Sequence, residues 1–158
     1  MHLLKFPASL YAVLVALACA SVANAGDVRA EQPWSRATPP GITVGVGYVT
    51  LRNAGPQPQV LESATSPMAT AVEMHENRNS DQGLTQMRPV TTVTIPARGN
   101  VAFEPSGLHL MLVGLKAPLV AGQRVPVGLR FKDGTTLAIE LEVRPLTAVA
   151  PAPAHHHH

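Results

Sequence analysis

The sequence predicts an all-β protein, a single-domain Greek-key β-sandwich or barrel. Three observations carry the Greek-key part of that expectation. Short segments alternate apolar and polar residues with a period of two, as strands with one buried and one wet face do. The 158 residues include 15 prolines and 12 glycines, and many of these punctuate the boundaries between such segments. No long stretch has helical period, and many short strands at regular spacing build sandwiches or barrels.

The chain begins with a leader. Lys5 supplies a positive charge, residues 7–22 are uncharged, apolar and small, and Ala23-Asn24-Ala25 is a small-x-small cleavage signal. Residues 1–25 therefore read as a secretory signal peptide, because the apolar run is too short for a transmembrane helix and a cleavage site follows it. A competing reading is a lipoprotein signal lipidated at Cys19, which the preceding Ala16-Leu17-Ala18 fits poorly. No other segment is apolar enough to span a bilayer, so no stable membrane insertion is expected. One domain is expected over 26–147, followed by a disordered Ala/Pro-rich tail over 148–158.

Strands are expected at 28–34, 43–52, 59–64, 70–76, 84–89, 92–95, 100–103 and 108–112. Turn chemistry separates them at Pro39-Pro40-Gly41, Asn53-Ala54-Gly55-Pro56, Ser80-Asp81-Gln82-Gly83, Arg98-Gly99-Asn100 and Pro105-Ser106-Gly107. The C-terminal hairpin is the clearest element. Val125, Val127, Leu129 and Phe131 share one face, Asp133-Gly134 is a hairpin turn, and Leu137, Ile139, Leu141 and Val143 share the returning face.

Charged residues make up 14% of the chain, the net charge is +2 and the basic residues are scattered, which gives no footprint for nucleic acid. Cys19 is the only cysteine and lies in the leader. The exported domain must then be held by an ordinary core, without disulfides and without thiolate ligands.

The residues with distinctive chemistry lie on the strand Leu108-His109-Leu110-Met111-Leu112. Its leucines point one way, and His109 and Met111 point the other. His75 ends one expected strand, Met87 lies in the next, and the turn between them would bring the two together. If these side chains converge, the site is His2Met2. Thioether sulfur is a soft donor that favours Cu(I). Zinc prefers thiolate, imidazole and carboxylate, and calcium and magnesium take oxygen. Blue-copper electron transfer needs a cysteine, so the donor set points to carrying copper. No nucleophile–base pair, carboxylate pair or phosphate-cradling loop is evident, and an enzyme is not expected.

Met74-His75-Glu76, Gln86-Met87-Arg88-Pro89-Val90, Leu108 to Leu112 and Gly114-Leu115-Lys116 together resemble the periplasmic copper(I) chaperones called PCu(A)C. The resemblance extends to Pro33-Trp34-Ser35-Arg36-Ala37 with Pro39-Pro40-Gly41, and to the segment Gly47-Tyr48-Val49-Thr50-Leu51-Arg52-Asn53. His75 and Met87 stand one residue further apart than in the family pattern, an extra loop residue within 77–82. The resemblance implies a cupredoxin-like sandwich that binds Cu(I) through His75, Met87, His109 and Met111 near its surface. It also implies delivery to the CuA centre of cytochrome c oxidase in the periplasm, alongside a Sco-type protein. The alternatives are a periplasmic copper-sequestration protein and an exported β-sandwich binding module without metal. A monomer is expected.

Other residues receive plainer readings. Met74 faces away from His75 and suits the core. Met68 is read as packing or surface before a lining of the site. Glu73, which shares the His75 face, is read as a solvated charge before an acceptor for an imidazole N–H, and Glu76 is left unassigned. Trp34 is read as a core anchor. His155, His156, His157 and His158 have two readings, a remnant affinity tag or, preferred, a native tail. A native tail offers a second site, for Cu(II), since clustered imidazoles suit that ion better than thioethers do.

Overall fold

The computed structural model describes residues 26–80 and 82–146. The expected leader and tail, with Cys19 and the four terminal histidines, lie outside the described residues. Every regular element described is a strand: β1 Val28–Arg36, β2 Val44–Asn53, β3 Gln59–Thr65, β4 Ala69–Asn79, β5 Thr85–Pro89, β6 Val93–Ile95, β7 Asn100–Phe103, β8 Leu108–Leu115, β9 Arg124–Phe131 and β10 Thr136–Arg144. Among the described residues no helix is long and apolar enough to cross a membrane.

The all-β expectation holds, and the hydrogen bonding is barrel-like. One continuous sheet runs β5-β4-β8-β7-β2-β1-β10-β9-β3-β6, and a further β3–β4 pairing at Ala64 and Val72 brings its two halves together. This closure replaces the two separate sheets of the expected sandwich and, among the described residues, leaves only the short strands β5 and β6 as edges. Most pairings are antiparallel, while β1 lies parallel to β10 and β7 parallel to β8.

Alternation puts the apolar side chains inside. Leu51, Leu61, Leu110, Leu112, Leu129, Phe131 and Leu141 are fully buried, each contributing roughly 1.5–3 kcal/mol by leaving water. The terminal hairpin has the register its pattern implies, with Ile139 opposite Val127 and Leu141 opposite Val125. Met74 is buried in the same core, opposite Leu110. At Gly47 a Cβ would stand 2.7 Å from Leu141 Cδ1 and 3.5 Å from Leu110 Cβ. The missing side chain therefore lets the β2 backbone close over the leucines that seat β8.

Trp34 is the exception to the expected core. Val28 and Ala30 face inward, and an unbroken alternation would put Trp34 inward as well. A bulge intervenes: Glu31 pairs with Thr50 and Trp34 with Tyr48, so two residues of β1 stand against one of β2. Gln32 takes a left-handed φ of 49° there. One extra residue exchanges the faces of everything after it. Ser35 then turns inward, where its hydroxyl donates to the Val46 carbonyl at 2.6 Å, and Trp34 and Arg36 turn to the outer wall. The indole is half-buried and stacks on Tyr48, with ring centroids 4.6 Å apart.

Candidate metal centre

The outer wall of β5-β4-β8 holds the residues singled out in the sequence. In the β4–β8 ladder Val72 pairs with Leu112 and Met74 with Leu110, both toward the core. The alternate pairs, Glu73 with Met111 and His75 with His109, therefore project outward. On the other side of β4, β5 sets Pro89 opposite His75 and Met87 opposite Asn77. All four expected ligands thus share one face, with His75 at the hub. His109 is its direct cross-strand neighbour, and Met111 and Met87 are its diagonal neighbours on opposite sides. Diagonal neighbours have Cα atoms about 7–8 Å apart, within reach of long side chains.

The two imidazoles lie side by side, with ring centroids 6.0 Å apart and planes tilted by 40°. A borderline or soft metal sits about 2 Å from each ligating imidazole nitrogen, which sets two rings sharing one ion roughly 6 Å apart. The observed spacing matches. His109 is 3% exposed and the His75 side chain 14% exposed, so the pair lies under a thin cover and not in open solvent. Met111 is half-buried, whereas Met87 is 51% exposed.

Hydrogen bonds leave each ring one lone pair. A carboxylate oxygen and a backbone carbonyl oxygen can only accept, so the imidazole nitrogen facing each carries the proton. His75 Nε2–H donates to Glu73 Oε2 at 2.8 Å, and His109 Nδ1–H donates to the Gly107 carbonyl at 3.1 Å. The remaining nitrogens, Nδ1 of His75 and Nε2 of His109, bear the lone pairs. His75 Nδ1 is buried and has no hydrogen-bond partner among the described residues. A buried polar atom without a partner costs about 1–3 kcal/mol, and a metal ion is one partner that would remove that cost. Bonds from the far nitrogen to a carboxylate or carbonyl are the usual way a ligating histidine is held in tautomer and orientation.

The structure refines the sequence reading here in three places. Met87 does not stand opposite His75, because β4 continues to Asn79 before the turn and the register places Met87 one pleat beyond. Glu73, read first as a solvated charge and second as an imidazole acceptor, is both: its side chain is 53% exposed and it is the hydrogen-bond partner of His75. The period-two spacing from Glu73 to His75 was the signal for that contact. The Gly107 carbonyl was not foreseen, since a backbone acceptor has no side-chain signature. Glu76 bonds Arg78 at 2.6 Å, away from the imidazoles. Among the described residues no group of three His, Cys, Asp or Glu side chains is gathered for a metal. A site at this wall has to draw on the thioethers.

A closed all-β sheet is also the fold of the PCuAC domains. The copper-bound PCuAC domain from PmoF2 superposes with a TM-score of 0.64 at 22% identity, covering 76% of this chain and 94% of that one. Cu(I)-bound DR1885 of Deinococcus radiodurans superposes at 0.57 with 38% identity, over 71% of this chain and 74% of that chain. Apo-DR1885 gives 0.59 and 32% identity over 92% and 95%. Residues 28–143 match the model of the LpqE-like lipoproteins, and the lipoprotein Lxx21020 of Leifsonia xyli subsp. xyli is 35% identical over 121 residues, which is 77% of this chain and 72% of that protein. The chain belongs to the LpqE-like family, and its fold is that of the PCuAC domains.

Proposed function

We propose that this protein carries Cu(I), holding it through His75, Met87, His109 and Met111 and passing it to a partner protein. The observation that carries the reading is the pair of imidazoles set across β4–β8, each with one lone-pair nitrogen, with a thioether on either diagonal of His75. The chemistry of the donors supports monovalent copper, because two neutral imidazoles and two thioethers suit a soft cation of low charge. The Cu(I)-bound state of DR1885 supports it further, at 38% identity.

The arrangement suits release as well as binding. Met87 is the exposed ligand and Met111 the half-buried one, so an incoming donor can displace the thioethers before reaching the covered imidazoles. The core beneath the site is apolar and complete without metal, so the apo protein is folded and ready to reload. Carriage without catalysis is the reading the site favours. The destination proposed is the CuA centre of cytochrome c oxidase, assisted by a Sco-type protein, with this chain acting as an exported monomer. The lipoprotein descriptions of the family and of the Leifsonia protein favour anchorage through Cys19 over cleavage after Ala25. Mass spectrometry of the exported protein decides between the two. The terminal histidines are proposed as a second site, for Cu(II); unchanged Cu(II) binding after their deletion would remove it.

The decisive experiment titrates the protein with Cu(I) against a competing chelator. One equivalent should bind, and His109→Ala and Met111→Ala should each weaken it. Wild-type affinity in both variants would sink the site. Transfer from the loaded protein to an apo CuA domain then separates delivery from sequestration, since a sequestering protein keeps its copper.

A further inference from the structure

The bulge in β1 turns more than Trp34 to the outer wall. Beyond it, β1 and β10 run parallel and set Arg36 directly opposite Arg144. Like charges directly opposite one another destabilise a sheet. Arg52 pairs with Glu31, Arg78 with Glu76, Arg124 with Glu140 and Arg130 with Glu62, all within 4.0 Å. Arg29, Arg88 and Arg98 stand without an ion pair among the described residues. Arg88 and Arg98 face no second arginine across a strand pair, and Arg29 faces Arg52, which has Glu31. Arg36 and Arg144 face each other, and neither has a carboxylate partner among the described residues. Glu142, on the same face as Arg144 and opposite Trp34, is exposed and forms no ion pair with either. Outside the described residues the sequence holds one acidic side chain, Asp81.

The two guanidinium groups are also ordered. Their Cζ atoms lie 5.8 Å (Arg36) and 4.7 Å (Arg144) from the Trp34 ring centroid, an arrangement that holds the planar heads by cation–π attraction. Arg36 Nε is buried without a hydrogen-bond partner among the described residues. A buried donor left unpaired and a like-charge pair without a neighbouring carboxylate are two separate costs with one common remedy.

We propose that Arg36 and Arg144, held against Trp34, form a binding site for a single oxoanion, a carboxylate or a phosphate. The guanidinium fork matches either group through paired N–H···O bonds. The site lies on the same wall as the candidate copper centre, since Tyr48, stacked on Trp34, is two residues along β2 from Val46, the partner of Met111. It does not depend on copper binding.

Trp34 is the only tryptophan in the chain, so indole fluorescence reports on this site alone. The apo protein is titrated with inorganic phosphate and, separately, with acetate, at ionic strength held constant with chloride. The expected result is a saturable fluorescence change. Arg36→Gln and Arg144→Gln should each weaken it about 10-fold or more, the loss of one charge-assisted pair, whereas Arg124→Gln leaves it unchanged. Saturation by phosphate alone assigns a phosphate ligand, and saturation by acetate alone assigns a carboxylate such as an acidic side chain. A second readout guards against variants that misfold. Arg144→Gln should raise the melting temperature in chloride, because it removes the like-charge pair, and should lose the stabilisation that the anion gives wild type. No saturable response to either anion, or an equal response in both folded variants, overturns the proposal.

Discussion

The β9–β10 hairpin and the β4–β8 ladder are built alike and finished differently. Both are antiparallel, both alternate, and both turn their inner faces to the core. On the outer face of the hairpin Arg124 and Glu140 meet at 3.6 Å in solvent, where an ion pair is worth roughly 0–1 kcal/mol. On the outer face of the ladder the corresponding positions hold His75 and His109, covered by their surroundings. Water satisfies the polar groups of the first wall. The second must satisfy its own, and it does so at one nitrogen of each imidazole, leaving the other for a ligand. A strand pair becomes a binding site here through the covering of its outer face, with no change in backbone pattern.

The comparison breaks most sharply in the core beneath each wall. Phe131→Ala under the hairpin should cost about 3–5 kcal/mol, and Leu110→Ala under the ladder about 2–5 kcal/mol. Denaturant unfolding measures both. Cu(I) titration of the folded fractions should then separate them. Leu110 fixes the strand between His109 and Met111, so its loss should weaken copper binding, while Phe131→Ala leaves the affinity near wild type. Equal copper affinity in the two variants would mean that the leucine row does not position the ligands.

Metal loading comes next in size. A ligand that binds only the folded state stabilises it by about 2.7 kcal/mol when present at 100 times its dissociation constant. Cu(I) should therefore raise the melting temperature of wild type, and chelation should return it to the apo value with the protein still folded. In His109→Ala the copper-dependent rise should disappear. Unfolding on chelation would contradict a core that is complete without metal.

How much of this could be read beforehand follows from the range of the interactions. The alternation of Val125 to Phe131 and Leu137 to Val143 and the Asp133-Gly134 turn are local, and the hairpin could be read directly. The soft donor set could also be read, because residue type and spacing define it. The bulge is hinted at only by Pro33, which has no N–H for the ladder and sits in doubly paired strands at bulges. That β1 is paired on both sides, and hence that one residue is unpaired and Trp34 leaves the core, is set by the whole sheet. Arg36 and Arg144 are more than a hundred positions apart, and their juxtaposition exists only because the first and last strands of the barrel pair. The barrel closure at Ala64 and Val72 and the offset of Met87 are likewise register effects, set by packing across the whole sheet.

A smaller effect tests the covering argument at one side chain. Glu73→Gln retains an acceptor for His75 Nε2–H but removes the charge. Partners that orient a ligating histidine typically change metal affinity by about 10–100-fold, and a loss in that range is expected in the Cu(I) titration. The matching change on the hairpin, Glu140→Gln, should shift stability by no more than about 1 kcal/mol and leave copper binding alone. If the two substitutions are equally silent toward copper, Glu73 is a surface charge that happens to touch a histidine.

The smallest expected effect lies in the hairpin turn and concerns pH. Asp133 Oδ1 accepts hydrogen bonds from the Thr135 hydroxyl at 2.7 Å and the Thr135 backbone N–H at 2.9 Å. The hydroxyl bond is the larger cause, and together they hold the Asp133 carboxyl below its usual range. Hydrogen bonds to the ionised form favour it. The folded state therefore releases this proton more readily than the unfolded chain does. The resulting stability is present above the unfolded pKa and is lost as pH falls through the folded one. Asp133→Asn should remove that segment of the acid limb, so the stability curves of variant and wild type should converge as acid protonates the wild-type carboxyl. The group is almost fully in solvent, so the gap at neutral pH should be slight and should narrow with added salt. A gap that stayed constant down to the most acidic pH would place the effect in the asparagine's own fit to the turn. The carboxylate hydrogen bonds would then have no part in it.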